Sequence, residues 1–302
     1  SATRVNSQGL IEDVQILSGN LVSNGDFSQE GSEQITNGDF ENNIDGWISY
    51  SSTSTWDNGT IKTTATSNAA WIRQNSAVTS NKSYKVTFKA KSSNISPNIK
   101  IYNGATFLDT GLSFDAVDTY KEFTYYLYTT ATNIIIGLQG LSVGDTINFD
   151  NVSVKEVGQD WNLGTGWSIG NNKAIANNVP NLQRLQRAGN NPSVIGSKYK
   201  YSINISNVSG FYSVYIFGVY VLATSNTEGI IEGEFMATST NGAFWVAGAS
   251  ASGLISATIE NITILEITDD TNLPRIDYTG GEGHWLFEPQ STNLAPYSED
   301  FS

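Results

Sequence analysis

NLVSNGDFSQEGSEQITNGDFENNIDGW, residues 20–47, carries nearly the same phrase twice, as LVSNGDF at 21–27 and QITNGDF at 34–40. Each copy reads as a short strand running into an Asn-Gly turn, the dipeptide that most readily supplies positive φ. The second copy begins thirteen residues after the first, leaving no room for a domain between them. The second copy alone is followed by Glu41 and the Gly46-Trp47 pair, so Gln34–Phe40 is expected to be the true first strand. Leu21–Phe27 is then either a remnant of duplication or an edge strand beside it.

Outward from this stretch the chain is strand-like throughout. Tyr84, Val86 and Phe88 alternate with Lys85, Thr87 and Lys89, and Phe123, Tyr125 and Leu127 alternate with Thr124, Tyr126 and Tyr128. That period of two places one face in a core and the other in water. No helical period is apparent, and Asn, Ser, Thr and 28 Gly fill the gaps between short runs of Val, Ile, Tyr and Phe. The fold class is therefore all-β, with 302 residues making room for at least two cores. The absence of Cys excludes a disulfide framework and any Cys-based metal site. A net charge of −13 disfavours nucleic acid and anionic membrane surfaces. No apolar run approaches twenty residues, and the abrupt ends suggest a fragment of something longer.

A plan repeats within the chain. TGWSI (165–169) matches DGWIS (45–49), LQRLQR (182–187) stands where AWIRQ (70–74) stood, KYKYSINIS (198–206) echoes SYKVTFKAK (83–91), and IENITILEI (259–267) echoes FDNVSVKEV (149–157). Two tandem antiparallel β-sandwiches are expected, at 20–157 and 158–268, with flanking segments 1–19 and 269–302. Trp47 and Trp167, each after a Gly, are expected in the cores.

The NGDFE…GW opening, the SYKVTFKAK strand and the FDNVSVKEV close resemble carbohydrate-binding modules of families four and nine, which are jelly-roll sandwiches. The resemblance covers about 130 residues of the first repeat and is more distant in the second. It implies a polysaccharide or oligosaccharide partner and a structural Ca²⁺ where first and last strands meet, held by backbone carbonyls and carboxylates, with Asp39, Glu41 and Asp150 at the matching positions. In the second repeat Glu260 replaces Asp150. The flanks, ATRVNSQGLIEDV (2–14) and NLPRIDYTGGEGHWLFEPQSTNLAPYSEDF (272–301), resemble segments of bacteriophage tail and fibre proteins, especially those infecting Bacteroidetes. That implies a virion-surface or extracellular location, a homotrimer in the full-length fibre, and pairing of GLIEDV with PRIDYT at the base of an insertion.

Catalytic devices are sparse. The one histidine, His284, sits in a flank, so no Ser-His or Cys-His arrangement is available to the sandwiches. Glu232 and Glu234 in IIEGEF would share a strand face at about 6.6 Å, a spacing that glycosidases use but that solvated strand faces reproduce freely. Sugar clefts combine aromatic rings with Arg, Gln and Asn. On the wet parity of the first repeat these are Tyr102, Tyr126, Tyr128 and Gln139, with Trp71, Arg73 and Gln74 in one nearby strand, and the analogues in the second are Arg184, Gln186, Tyr212 and Trp245. Arg73 could instead pair with Asp57 or Glu41. The expected function is glycan binding without cleavage. The alternatives are a sandwich spacer with no sugar site and an accessory module of a polysaccharide-degrading enzyme.

Overall fold

In the computed structural model, residues 2–5, 11–189, 193–249, 253–269, 275–277 and 284–286 are described. The all-β expectation holds: the elements among these residues are strands, with no helix. They form two sandwiches of one topology. In the first unit a five-stranded front sheet runs Phe107–Asp109, Ile99–Tyr102, Ile134–Gln139, Ala69–Gln74, Ile48–Tyr50. Its back sheet runs Lys121–Thr129, Lys82–Ser92, Thr146–Val157, Ile61–Ala65, Ser52–Trp56, with Glu30–Glu33 also paired to Thr146–Val157. The second unit repeats both. Its front sheet is Trp161–Leu163, Arg184–Arg187, Phe244–Gly248, Tyr212–Ile216, Val219–Ser225. Its back sheet is Trp167–Gly170, Lys173–Val179, Ile255–Asp269, Lys198–Ser209, Gly229–Met236.

Alternation in sequence becomes the two-sided burial of these sheets. Tyr84, Val86, Phe88, Ile134, Ile136, Leu138 and Phe149 fill the space between the first pair of sheets. Tyr199, Ile203, Val214, Phe244, Val246, Ile262 and Ile264 do so in the second. A buried side chain of this size contributes roughly 1.5–3 kcal/mol, so each unit has the material for its own core.

The doubled phrase is explained by where each copy packs. Phe40 lies in the first core, against Trp47 at 5.4 Å between ring centroids. Phe27 lies in the second core, against Trp161 at 5.1 Å. The contacts match atom for atom. Gly38 O accepts from Val152 N and Gly25 O from Ile262 N, both at 2.9 Å. Gln34 N donates to Val154 O and Leu21 N to Ile264 O, also at 2.9 Å. The Trp47 indole N–H donates to Asn37 O at 2.9 Å, and that of Trp161 to Asn24 O at 3.0 Å. Each unit therefore has its own opening segment. The second unit's opening precedes the entire first unit, which sits as an insertion between Phe27 and Val157.

Four expectations change. Leu21–Phe27 is neither a remnant nor an edge strand of the first unit, so the boundary at residue 20 does not separate the units. The first strand is Glu30–Glu33 rather than Gln34–Phe40, and its counterpart in the second unit is Ile16–Leu17 on Ile255–Asp269. The partner of Trp47 is Trp161, not Trp167, although Trp167 is buried as expected. Positive φ falls on Asn24 and Asn37 and on Phe27 and Phe40, not on the glycines between them. Glycine is needed there because a Cβ at Gly25 or Gly38 would collide with the carbonyl of Ile262 or Val152. In the flanks, Ile11–Val14 pairs with Ala2–Val5 and Ala2–Val5 lies beside Arg275–Asp277; among the described residues no pairing joins Ile11–Val14 to Arg275–Asp277, and the rest of GLIEDV and PRIDYT lies outside them. His284 begins the strand paired with Arg275–Asp277.

The units also touch directly. Ile169 N donates to Ser83 Oγ at 3.0 Å, and Tyr126 lies against Gly170, where a Cβ would stand 2.6 Å from its own Cβ.

Two outcomes follow from the insertion. Residues 28–157 alone should melt cooperatively, whereas 158–269 alone, lacking Val22 and Phe27, should not. Joining residues 16–28 to 157–269 through a short Gly-Ser bridge should restore a cooperative melt, since Glu30 and Val157 are neighbours in the sheet. In the intact chain, Gly25→Ala should destabilise only the second unit and Gly38→Ala only the first, each by about 1–3 kcal/mol through forced backbone displacement. Calorimetry resolving the two transitions checks the assignment, and a shift of the same transition by both variants would refute it.

Candidate carbohydrate-binding faces

Each front sheet turns one face to its core and the other outward, and strand register decides which side chains share the outward face. In the second unit one row crosses all five strands: Asn162, Gln186, Trp245, Tyr215 and Tyr220. Trp245 and Tyr215 stack at 5.0 Å with 6° between their planes. Tyr220 stands edge-on to both, at 5.4 Å from Trp245 and 5.1 Å from Tyr215, and is 56% exposed. The guanidinium of Arg184 lies over the Trp245 ring, 4.4 Å from its centroid. The row thus joins two carboxamides at one end to an aromatic cluster at the other, the mixture a sugar site needs.

The expected residues Arg184, Gln186 and Trp245 are therefore brought together. Tyr212 is not: it is fully buried, its hydroxyl donates to Thr227 O at 2.8 Å, and burial raises the pKa of its phenol. The register explains the error. Tyr212 and Val214 share the core face, and the outward positions on that strand are Ser213 and Tyr215. Tyr215, Tyr220 and Asn162 are the residues missed by sequence reading. The alternation in YSVYIFGVYV held the signal, but the Phe217-Gly218 turn, both with positive φ, was needed to phase it.

The first unit's outward face differs. Its register rows are Tyr50, Trp71, Gly137, Lys100, Asp109 and, alongside, Ile48, Arg73, Ile135. Trp71 is on this face as expected but is only 3% exposed. Its ring reaches across Gly137, whose missing side chain makes room for it, and stacks on Phe107 at 4.2 Å. Tyr102 lies against the same Phe107 at 5.2 Å, and its hydroxyl donates to Gly104 O. Trp71 is thus a packed residue rather than an open platform. Tyr50, at 60% exposed, is the accessible ring of this face. Gln139 is exposed at the end of its strand. Arg73 makes no ion pair among the described residues, with Asp57, Glu41 or any other acid, and its Nε is buried without a partner.

Three candidates belong elsewhere. Gln74 spends both ends of its amide on the backbone N–H and C=O of Thr36, each at 2.9 Å, so it clamps the opening segment. Arg187 does the same work in the second unit, donating to Ser23 Oγ at 2.9 Å. Tyr126 and Tyr128 are on the back sheet, with Tyr126 covering Gly170 between the units. Neither shares a face with Trp71.

The expected calcium ligands do not converge. Among the described residues no three His, Asp or Glu gather at one point. The Asp150 carboxylate accepts instead from the N–H and side-chain amide of Asn151.

No protein-family model matches this chain, and no curated protein matches it. Solved structures are similar to it at low scores. The tandem of family 22 carbohydrate-binding modules from Paenibacillus barcinonensis Xyn10C is 10% identical, over 79% of this chain and 99% of that one, with a TM-score of 0.37. A family 4 module is 21% identical over 45% of this chain and 99% of its own, with a TM-score of 0.28. The N-terminal cellulose-binding domain of Cellulomonas fimi β-1,4-glucanase C is 17% identical over 40% and 95%, with a TM-score of 0.30. At such scores the roles of side chains rest on this chain's own geometry.

The packing separates two mutant classes. Trp71→Ala should destabilise the first unit by about 3–5 kcal/mol through the cavity it leaves. Tyr220→Ala should leave melting nearly unchanged, and thermal denaturation of the two variants checks the contrast.

Proposed function

We propose that the chain is a non-catalytic glycan-binding pair of sandwiches displayed by a virion tail or fibre protein, and that its principal binding face is the front sheet of the second unit. The observation that carries this reading is the row Asn162, Gln186, Trp245, Tyr215, Tyr220 with Arg184 beside it. Rigid rings with two or three polar groups at fixed spacing suit a sugar's apolar face and its equatorial hydroxyls. The virion setting, the extracellular location and a trimeric full-length fibre are supported by the phage-like sequences of the flanks.

A binding role is also supported by where the acids lie. Glu232 and Glu234 are exposed on the edge strand of the back sheet, in register with Ser202 and Lys200, and the Glu234 carboxylate accepts from the Gln15 side chain. They face solvent. For the first unit, the sealed Trp71 favours a spacer role, in which it holds the second unit's opening segment and its body in one assembly.

A glycan array on the intact chain should return ligands. Among these, Tyr220→Ala and Gln186→Ala should each weaken binding about tenfold, and Tyr50→Ala should change it little. Retention of no glycan at all would leave the spacer reading for both units.

A further inference from the structure

Resting on the glycan-binding reading, we infer that the second unit's face selects an acidic sugar, with Arg184 holding the oxyanion. Arg184 is exposed on the outward face, and its guanidinium plane is fixed by the indole beneath it. The indole is itself held by Tyr215 on the next strand. An arginine normally loses much rotameric freedom when it binds. Here that freedom is already restricted, and a planar fork of N–H donors is presented to solvent.

Among the described residues the fork has no hydrogen-bond or ion-pair partner. Among the described residues no carboxylate lies within 4.0 Å of Arg184, although the chain has 29 Asp and Glu against 16 Lys and Arg. Arg187, three residues further along the same strand, shows the alternative: it turns to the core side, reaches Asp160 at 3.9 Å and bonds Ser23. In a chain so rich in acids, an unpaired and immobilised arginine marks a place left for an external anion.

The residues beside it are small, and Ala247 and Ser213 are themselves covered. The backbone carbonyl of Arg184 accepts from Gly164 N on one side, and on the other its register partners are Ala247 and then Ser213. Small residues thus flank the guanidinium along its own row. Gln186 and Asn162 lie in the adjacent row and can meet ring hydroxyls. A sugar carrying a carboxylate or a sulfate could place that group on Arg184 and its hydroxyls on the two carboxamides.

The net charge of −13 opposes an anionic polymer through long-range repulsion. At physiological ionic strength the screening length is about 8 Å, so a direct contact with Arg184 persists while distant repulsion is damped. The charge-assisted bidentate pair is also the strong form of such a bond.

The test is isothermal titration of the intact chain with oligogalacturonate, with the same oligosaccharide after carboxyl reduction, and with a sulfated galactan oligosaccharide. At least one charged probe should bind tenfold or more tightly than the neutral one, and whichever charged probe prevails names the oxyanion. Arg184→Gln should erase that preference with melting temperature unchanged. Arg184→Lys should retain only part of it, because an ammonium has no planar fork. Equal binding of neutral and charged probes, or an Arg184→Gln variant that keeps the preference, would overturn the inference and leave glycan binding standing. Binding of none of the probes, together with a blank glycan array, would overturn both.

Discussion

One backbone contact organises the chain: the carbonyl of Gly25 on the N–H of Ile262, with Phe27 seated on Trp161 behind it. Through it, residues that precede the first sandwich complete the core of the second. A back strand such as Ile255–Asp269 otherwise presents unpaired N–H and C=O groups along part of its length, and Trp161 a bare ring face. The opening segment covers both. The geometry tolerates only glycine at position 25 and holds Phe27 at φ 57°, a conformation that a bulky residue adopts only when its surroundings enforce it. That the same arrangement recurs at Gly38 and Phe40 shows that it is a requirement of this sandwich, not an accident of one site.

Nesting ties the two units at two chain crossings, Phe27 to Glu30 and Val157 to Trp161, rather than at one. Val157 counts in the second core, and the contacts of Ser83 and Tyr126 with Ile169 and Gly170 lie close to these crossings. The first unit is consequently a bracket between two parts of the second, as well as a sandwich in its own right.

The front faces have diverged although the scaffolds agree. Register alignment from the Trp47 and Trp161 anchors sets Trp71 opposite Arg184, Arg73 opposite Gln186 and Ile135 opposite Trp245. The aromatic and the arginine have thus exchanged rows. In the first unit the tryptophan lies across Gly137 and is sealed by Phe107. In the second it is a base on which a cation rests. Both tryptophans are buried; what differs is the cover, an apolar Phe107 in one case and the exposed Arg184 beside an exposed Tyr220 in the other.

Period-two alternation, the absence of helical spacing and the recurrence of SYKVTFKAK and FDNVSVKEV as KYKYSINIS and IENITILEI determined by themselves that the chain is all-β and doubled. These are local signals, carried by neighbours in the chain. Arg184, Gln186 and Trp245 were legible as outward residues for the same reason, since parity along a strand is local. Only the tertiary structure decided which core each NGDF copy enters, because a hydrogen bond between residues 25 and 262 leaves no trace in the spacing around either. It likewise decided the phase of Tyr212 against Tyr215, the separation of Tyr126 and Tyr128 from Trp71 onto opposite sheets, and the burial of Trp71 under Phe107. Each depends on which strands lie side by side, and pairing between strands is a property of distance in space rather than of order in the chain.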